Sequence, residues 1–260
     1  MSESAELLDF AKRVVSEAAN DFLARDRGSM SEVSGSQLNG REVKLVADAA
    51  LEASLLDRLL PTGLTVLSEE TGLVRQGADG ALRWIVDPLD GSVNYLRGIG
   101  PSAVSVALWR EDAPLFGVLF RLDDRTLAWG GNGMGAWLDD RPIHVSPQSR
   151  IDQAILCTGI PARFRVNDTA LVGDYFMQMA RFAKVRMLGS AACSLLMVAR
   201  GAADAYFEDQ IMLWDVAAGL AIVEGAGGIC HVRNRETEFS RSVVAGAHAM
   251  QSDLRRNGFI

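Results

Sequence analysis

Residues 84–95 read Trp-Ile-Val-Asp-Pro-Leu-Asp-Gly-Ser-Val-Asn-Tyr, an apolar strand that runs into two carboxylates, Asp87 and Asp90, and then a Gly-Ser turn. This stretch constrains the fold more than any other, because a strand end that carries two acids into such a turn can hold divalent metal against a phosphate. Hard cations such as Mg2+ prefer oxygen ligands, and the turn at Pro88 and Gly91 aims the Leu89 carbonyl and the following backbone N–H groups at the same spot. Taken alone the segment reads as a turn, since Asp-Pro and Asp-Gly are common turn formers. Two other readings of the acids fail on spacing. A calcium loop starting at Asp87 needs oxygen side chains at alternate positions and a terminal Glu, where Leu89 and Gly98 stand. An aspartyl nucleophile in an Asp-x-Asp-Gly-Thr pattern has one spacer residue, whereas Pro88 and Leu89 make two.

Two further clusters turn the balance toward chemistry. Leu-Thr-Val-Leu-Ser-Glu-Glu (64–70) is an apolar strand ending in adjacent acids, of which only one can face the neighbouring strand end. Residues 213–228 read as a helix opened by Asp215 and closed by glycines; by itself Asp215 is an ordinary helix cap. Four carboxylates, each at the end of a strand or the start of a helix, point to a metal cluster rather than to four unrelated caps.

Composition excludes several function classes. The 260 residues carry 33 acidic against 26 basic side chains, net −7, with no basic block, which argues against broad nucleic-acid binding. Cys157, Cys193 and Cys230 are too far apart for a CxxC site and fit a reducing cytoplasm as small buried side chains. His144, His231 and His248 lack zinc-site spacing. No apolar run approaches the ~20 residues that span a bilayer, and the acidic start is no signal peptide, so a cytoplasmic protein without a membrane partner is expected.

Helical periodicity over 5–25 places Leu7, Ala11, Val14, Ala18 and Phe22 in one stripe, and a second helix over 46–60 carries Leu51, Leu55, Leu56 and Leu59 before Pro61. The aperiodic stretch 27–42 between them is long for an inert connection and reads as a lid. Strand-like segments at 103–109, 115–122, 126–130 and 136–138 suggest an antiparallel sheet. A polar stretch at 142–153 divides the chain into an N-terminal subdomain, 1–145, and a C-terminal α/β subdomain, 146–260. The second part alternates strand 154–157, helix 168–183, strand 184–188, helix Ser190–Arg200, strand 203–208 and the Trp-Asp helix.

These motifs together, with Val-Ser-Val-Ala-Leu (104–108), Gly133 to Trp137, Gly-Ser-Ala-Ala (189–192), Ala-Asp-Ala-Tyr-Phe-Glu (203–208) and Trp-Asp-Val-Ala-Ala-Gly (214–219), resemble the inositol monophosphatase family, within the superfamily that includes fructose-1,6-bisphosphatases. The resemblance implies an α/β protein built as a five-layered αβαβα sandwich. It also implies a Mg2+-dependent, lithium-sensitive phosphomonoesterase that binds two or three ions, takes a small phosphorylated substrate and works as a homodimer. By the same resemblance Glu69, Asp87 and the Leu89 carbonyl are ligands of a first metal, and Asp87, Asp90 and Asp215 of a second. Such a pair of ions activates water and stabilises the leaving oxygen without a covalent intermediate. Ser92, where the family usually has Thr, and Asp48 would join Glu69 in activating water, and the N–H groups of Gly91 and Ser92 would hold phosphate. Gly189, Ser190, Ala191, Glu208 and Asp215 would meet the alcohol part of the substrate; without the resemblance, Glu208 is a strand-end surface acid and Gly-Ser-Ala a capping turn.

The chain departs from the family pattern upstream of Asp48, where Glu42 to Ala47 lacks a common threonine, and the Lys44/Asp48 spacing resembles members with bisphosphatase activity. Arg163 and Arg165 read as solvated charges rather than a second phosphate site. Inositol phosphate or a similar polyol phosphate is the expected substrate, with fructose-1,6-bisphosphate, a 3'-phosphonucleotide and histidinol phosphate as alternatives. A catalytically silent metal- or phosphate-binding protein would have no need of all these carboxylates together with the Ser92 hydroxyl.

Overall fold

A computed structural model describes residues 3–25, 46–75, 82–160, 169–235 and 237–260. Helices α1 (Glu3–Leu23) and α2 (Val46–Leu59) bury one face each. The stripe on α1 runs through Leu8, Ala11, Val14, Ala18 and Phe22; Leu8 is the buried leucine, and Leu7 packs at its margin. On α2, Leu51, Leu55 and Leu59 are fully buried, each contributing roughly 1.5–3 kcal/mol of apolar transfer. Pro61 does not stop the chain abruptly, because Leu60–Thr62 continue as one 3-10 turn that Gly63 closes.

The first sheet contains β1 (Thr65–Ser68), β2 (Gly72–Arg75), β3 (Leu82–Asp90), β4 (Ala103–Arg110), β5 (Ala113–Arg121), β6 (Leu127–Gly131), β7 (Gly135–Leu138) and β8 (Arg141–Pro142). Its strand order is β2-β1-β3-β4-β5-β6-β7-β8, antiparallel except for the β1/β3 pair. The second sheet, in order β10-β9-β11-β13-β12, contains β9 (Ile155–Thr158), β10 (Lys184–Arg186), β11 (Ala205–Met212), β12 (Gly228–Asn234) and β13 (Ser240–Ala247). Short helix α3 (Ser92–Arg97) follows β3; α4 (Thr169–Met179), α5 (Ala191–Ala199), α6 (Leu213–Gly225) and α7 (Gln251–Arg256) belong to the second half.

Period-two alternation sorts the side chains into layers. Trp84, Val86, Val104, Val106, Phe116 and Val118 join α1 and α2 on one face of the first sheet. Ile85, Ala107, Trp109 and Leu119 point the other way, onto α5 and α6, where Tyr206, Val243 and Ala245 of the second sheet also arrive. Leu156, Ala205, Phe207 and Val244 face outward onto Tyr175 of α4 and Leu254 of α7. The five layers are thus α1/α2, sheet, α5/α6, sheet, α4/α7, the αβαβα sandwich expected from the resemblance. Because α6 lies between two sheets it is apolar on every side, from Leu213 and Val216 to Ile222 and Val223.

Several boundaries differ from the sequence reading. Helix α6 opens at Leu213 with Met212 as its N-cap, so Asp215 stands two residues inside the helix instead of capping it. Strand β11 runs past Glu208 to Met212 through an irregularity between Glu208 and Ile211, so Glu208 is a buried mid-strand residue and not a surface acid at a strand end. The proposed lid at 27–42, Lys44, Arg163 and Arg165 lie outside the described residues. Among the described residues, no helix is long and apolar enough to cross a membrane.

Candidate active site

Asp87 and Asp90 are three positions apart, an odd offset, which in a regular strand would send their side chains to opposite faces. The pairing with β4 shows how this is avoided. Asp87 lies opposite Ser105 and Asp90 opposite Ala103, so β3 carries one residue more than its partner across this interval. Such a bulge re-aims side chains. Its shape is held by the Leu89 N–H, which donates to Asp87 Oδ1 at 3.0 Å. Gly91 then turns the chain with φ +84°, and a Cβ there would lie 2.9 Å from the Pro101 carbonyl oxygen. Only glycine fits this conformation and this close approach.

Glu69 comes in from the turn after β1, tied to β3 by its own N–H, which donates to the Val86 carbonyl at 3.1 Å. Asp215 comes down from the first turn of α6. One carboxylate oxygen from each of Glu69, Asp87 and Asp215 falls within a group no more than 4.8 Å across. Burial pushes all three acids up, Glu69 to about 8 and Asp87 and Asp215 well above the usual carboxylate range, and the charges of the neighbouring acids add to it. Asp90 is pushed up less, to about 6, since burial is opposed by hydrogen bonds from Ser190 and from the backbone of Ala192, Ala191 and Cys193. Among the described residues no ion pair involves Glu69, Asp87, Asp90 or Asp215. Buried charge of one sign without a partner is unfavourable, and a divalent cation removes that penalty. The donor set is all oxygen, which suits a hard ion.

Ser92 Oγ donates to Asp48 Oδ1 at 2.7 Å and lies 2.9 Å from the Leu89 carbonyl oxygen. The N-cap of α3 is Gly91, with no side-chain cap bond, so Ser92 is not there to cap the helix. Asp48, in the first turn of α2, is buried. On the far side, Glu208 Oε2 accepts from the Tyr206 hydroxyl at 2.8 Å, and its carboxyl is pushed up to about 7, mainly by burial. Gly159 leaves room for it, as a Cβ at that position would meet Glu208 Oε2 at 2.6 Å. Gly189, Ser190 and Ala191 form the entry to α5, with Ser190 as N-cap accepting from the Cys193 N–H. The structure therefore brings Asp48, Leu89 and Ser92 together by hydrogen bonds and Glu69 and Asp87 by their carboxylates, with Gly91 in the turn between Asp90 and Ser92, whereas Asp90 stands outside the trio of converging acids. The second half meets them through Asp215 and through the contact of Ser190, Ala191 and Ala192 with Asp90.

Sequence reasoning passed over two supporting residues. Glu52, buried on α2, takes the Thr71 N–H on Oε1 at 3.1 Å and the Thr71 hydroxyl on Oε2 at 2.5 Å, which holds the turn that presents Glu69. Asn94 donates to the Pro101 carbonyl at 2.9 Å and the Leu188 carbonyl at 2.7 Å, joining α3 to the loop before α5. The signal for Glu52 was present: an acid on the leucine-lined side of a helix calls for a partner.

The inositol monophosphatase family model matches residues 3–256. An inositol-1-monophosphatase from Rhizobium meliloti is 36% identical over 212 residues, 81% of this chain and 79% of that one. Nus factor SuhB from Escherichia coli is 32% identical over 228 residues, 86% and 84% of the two chains. The solved structure of an inositol monophosphatase from Anabaena superposes with a TM-score of 0.80 at 29% identity, over 98% of this chain and 96% of its own. A match of this extent, over a fold whose layers converge on one partly buried acidic cluster, places the chain in the inositol monophosphatase family, as a phosphoric monoester hydrolase.

Proposed function

We propose that the protein hydrolyses inositol monophosphate, or a similar small polyol phosphate, with Mg2+ as its cofactor and two ions at the centre of the site. The observation that carries this reading is the convergence of Glu69, Asp87 and Asp215 oxygens within 4.8 Å of one another, beside the hydrogen-bonded Ser92–Asp48 pair. Glu69, Asp87 and the Leu89 carbonyl would hold the first ion, and Asp87, Asp90 and Asp215 the second. Bound there, the ions supply Lewis acidity, which acidifies water and neutralises charge on phosphate and leaving oxygens. The chain's own groups do the rest. Ser92 Oγ orients the attacking water, and Asp48, its acceptor, takes up the proton; Glu69 fixes the water's approach from the other side. The N–H groups of Gly91 and Ser92 donate to the phosphate oxygens. Glu208 has one oxygen committed to Tyr206 and, among the described residues, no donor on the other, which leaves that oxygen for a substrate hydroxyl. The halves divide as 1–145 and 146–260, so the alcohol is gripped by the second while the phosphate is held by the first.

The expected homodimer needs an apolar face, and Phe176 and Met177 on α4, with Met187 just beyond edge strand β10, expose one. Sedimentation of the purified protein tests it. The function is tested by a panel assay of phosphate release from inositol monophosphate, fructose-1,6-bisphosphate, a 3'-phosphonucleotide and histidinol phosphate, after chelation and after Mg2+ is restored. The expected result is Mg2+-dependent release, greatest from inositol monophosphate and inhibited by millimolar Li+ and by excess Ca2+. Release that persists in chelator, or is indifferent to both inhibitory ions, would refute the metal mechanism. A preference for another ester would move the substrate and leave the chemistry in place.

A further inference from the structure

We propose that the first turn of α5 is built to position Asp90 for metal, with Ser190 as a positioning residue rather than a donor to the substrate alcohol; this rests on reading Asp90 as a ligand of the second ion. Asp90 ends β3 in the first half of the molecule, whereas α5 belongs to the second. Across that boundary the Ser190 hydroxyl donates to Asp90 Oδ2 at 2.5 Å, the Ala192 N–H donates to the same oxygen at 2.7 Å, and the Ala191 N–H reaches Oδ1 at 3.3 Å. The first amides of a helix have no partner within it, and here two of them are spent on one carboxylate. Hydrogen bonds to an ionised acceptor are the strong ones, and the positive end of the helix dipole favours the charged form. Donors committed in this way are not free for a substrate hydroxyl. Oδ1, with only the longer contact, is the oxygen that keeps a lone pair for a cation.

The turn is itself held rigidly. Ser190 has extended backbone, φ −151° and ψ 114°, its hydroxyl oxygen accepts from the Cys193 N–H at 3.2 Å, and its carbonyl accepts from the Ser194 hydroxyl at 2.7 Å. Asn94 binds the Leu188 carbonyl from the α3 side at 2.7 Å. A ligand whose rotamer is fixed by such partners binds metal more tightly, because the ordering is done before the ion arrives, and removing the partner typically weakens metal binding about 10- to 100-fold.

The test uses the whole protein and two readouts, Mn2+ binding without substrate, followed by EPR of the free ion, and the kinetics of phosphate release. Ser190→Gly is the decisive variant, since glycine is tolerated as an N-cap but has no hydroxyl. It should weaken the second Mn2+ site about 10- to 100-fold and raise the Mg2+ needed for half-maximal release to match. KM at saturating Mg2+ should stay within about twofold, because no substrate contact has been lost. Ser190→Thr should restore both properties. Unchanged Mn2+ binding with a raised KM would overturn the proposal in favour of a substrate donor, and a lowered melting temperature alone would overturn it in favour of a plain helix cap. Asp90→Asn separates the two levels. If it leaves Mn2+ stoichiometry intact, the metal role of Asp90 itself fails; if it removes one Mn2+ while Ser190→Gly changes nothing, only the positioning role fails.

Discussion

Glu52 and the Glu69/Asp87/Asp215 cluster lie on either side of the same short turn, yet their carboxylates are treated in opposite ways. Glu52 has a donor for each oxygen, both from Thr71. In the cluster the acids face one another, and burial drives their pKa values up, Glu69 to about 8. Glu52, with both oxygens occupied by donors, belongs to the scaffold, because its desolvation is offset by hydrogen bonds. Carboxylates that face one another with no cationic side chain paired to them among the described residues make sense when something cationic completes them.

The largest effect should come from breaking the cluster. Asp87→Asn removes the carboxylate that the proposed function assigns to both ions, so phosphate release should fall by several orders of magnitude while the metal-free protein melts higher, the buried acid being gone. If that variant turned over normally in saturating Mg2+, the contrast with Glu52 would lose its functional meaning.

Next in size is the coupling between pH and metal. Acids raised in the fold bind more protons there than in the unfolded chain, so the stability of the metal-free protein is complete at low pH. It is lost as pH rises through about 6 for Asp90 and about 8 for Glu69. Thermal melts of chelated protein should therefore decline from about pH 5 to about pH 8, and Mg2+ should raise the melting temperature most at the upper end. A flat profile, or equal stabilisation by Mg2+ at both ends, contradicts the cluster's electrostatics.

Ser92→Ala should lower kcat about a hundredfold with a much smaller change in KM, since the proposed function has the Ser92–Asp48 pair act on the water and not on the ground-state phosphate. Ser92→Thr should retain activity. A kcat unaffected by the alanine would leave Ser92 as a tether between α2 and α3. The smallest kinetic effect is expected for Glu52→Gln, which forces an amide N–H2 against one of two donors. It should lose about 1–3 kcal/mol of stability in denaturant melts yet keep most of its Mg2+-dependent turnover. Loss of turnover without loss of stability would place Glu52 in the chemistry instead of behind it.

Local pattern carried the reading where neighbours in sequence are neighbours in space. The run from Trp84 to Tyr95 contains a strand, two acids, a carbonyl and a hydroxyl that the structure keeps within one bulge and one turn. The alternation of strands and helices after 154 was visible, because each element buries its own period. Strands β12 and β13 and helix α7 carry no clear period in the sequence, since their segments mix glycine, arginine and serine and owe their form to the pairing of β13 with β11, of β12 with β13, and to the outer apolar layer. Glu52, Asn94 and the Tyr206–Glu208 bond were missed for a related reason. Their partners are remote in the chain or depend on which face of a strand is buried.

By itself the sequence determined the family, the two apolar periods and which acids are candidates for the site, because these depend on residue type and short spacing. The tertiary structure alone decided that the extra residue in β3 puts Asp87 and Asp90 on one side, that Asp215 lies within 4.8 Å of Glu69, and that Ser190 bonds Asp90 across the boundary between the two halves. Spacing along a strand or helix fixes direction only within that element. The distance between acids on different layers is set by how the α5/α6 layer packs between two sheets, and that packing involves the whole chain at once.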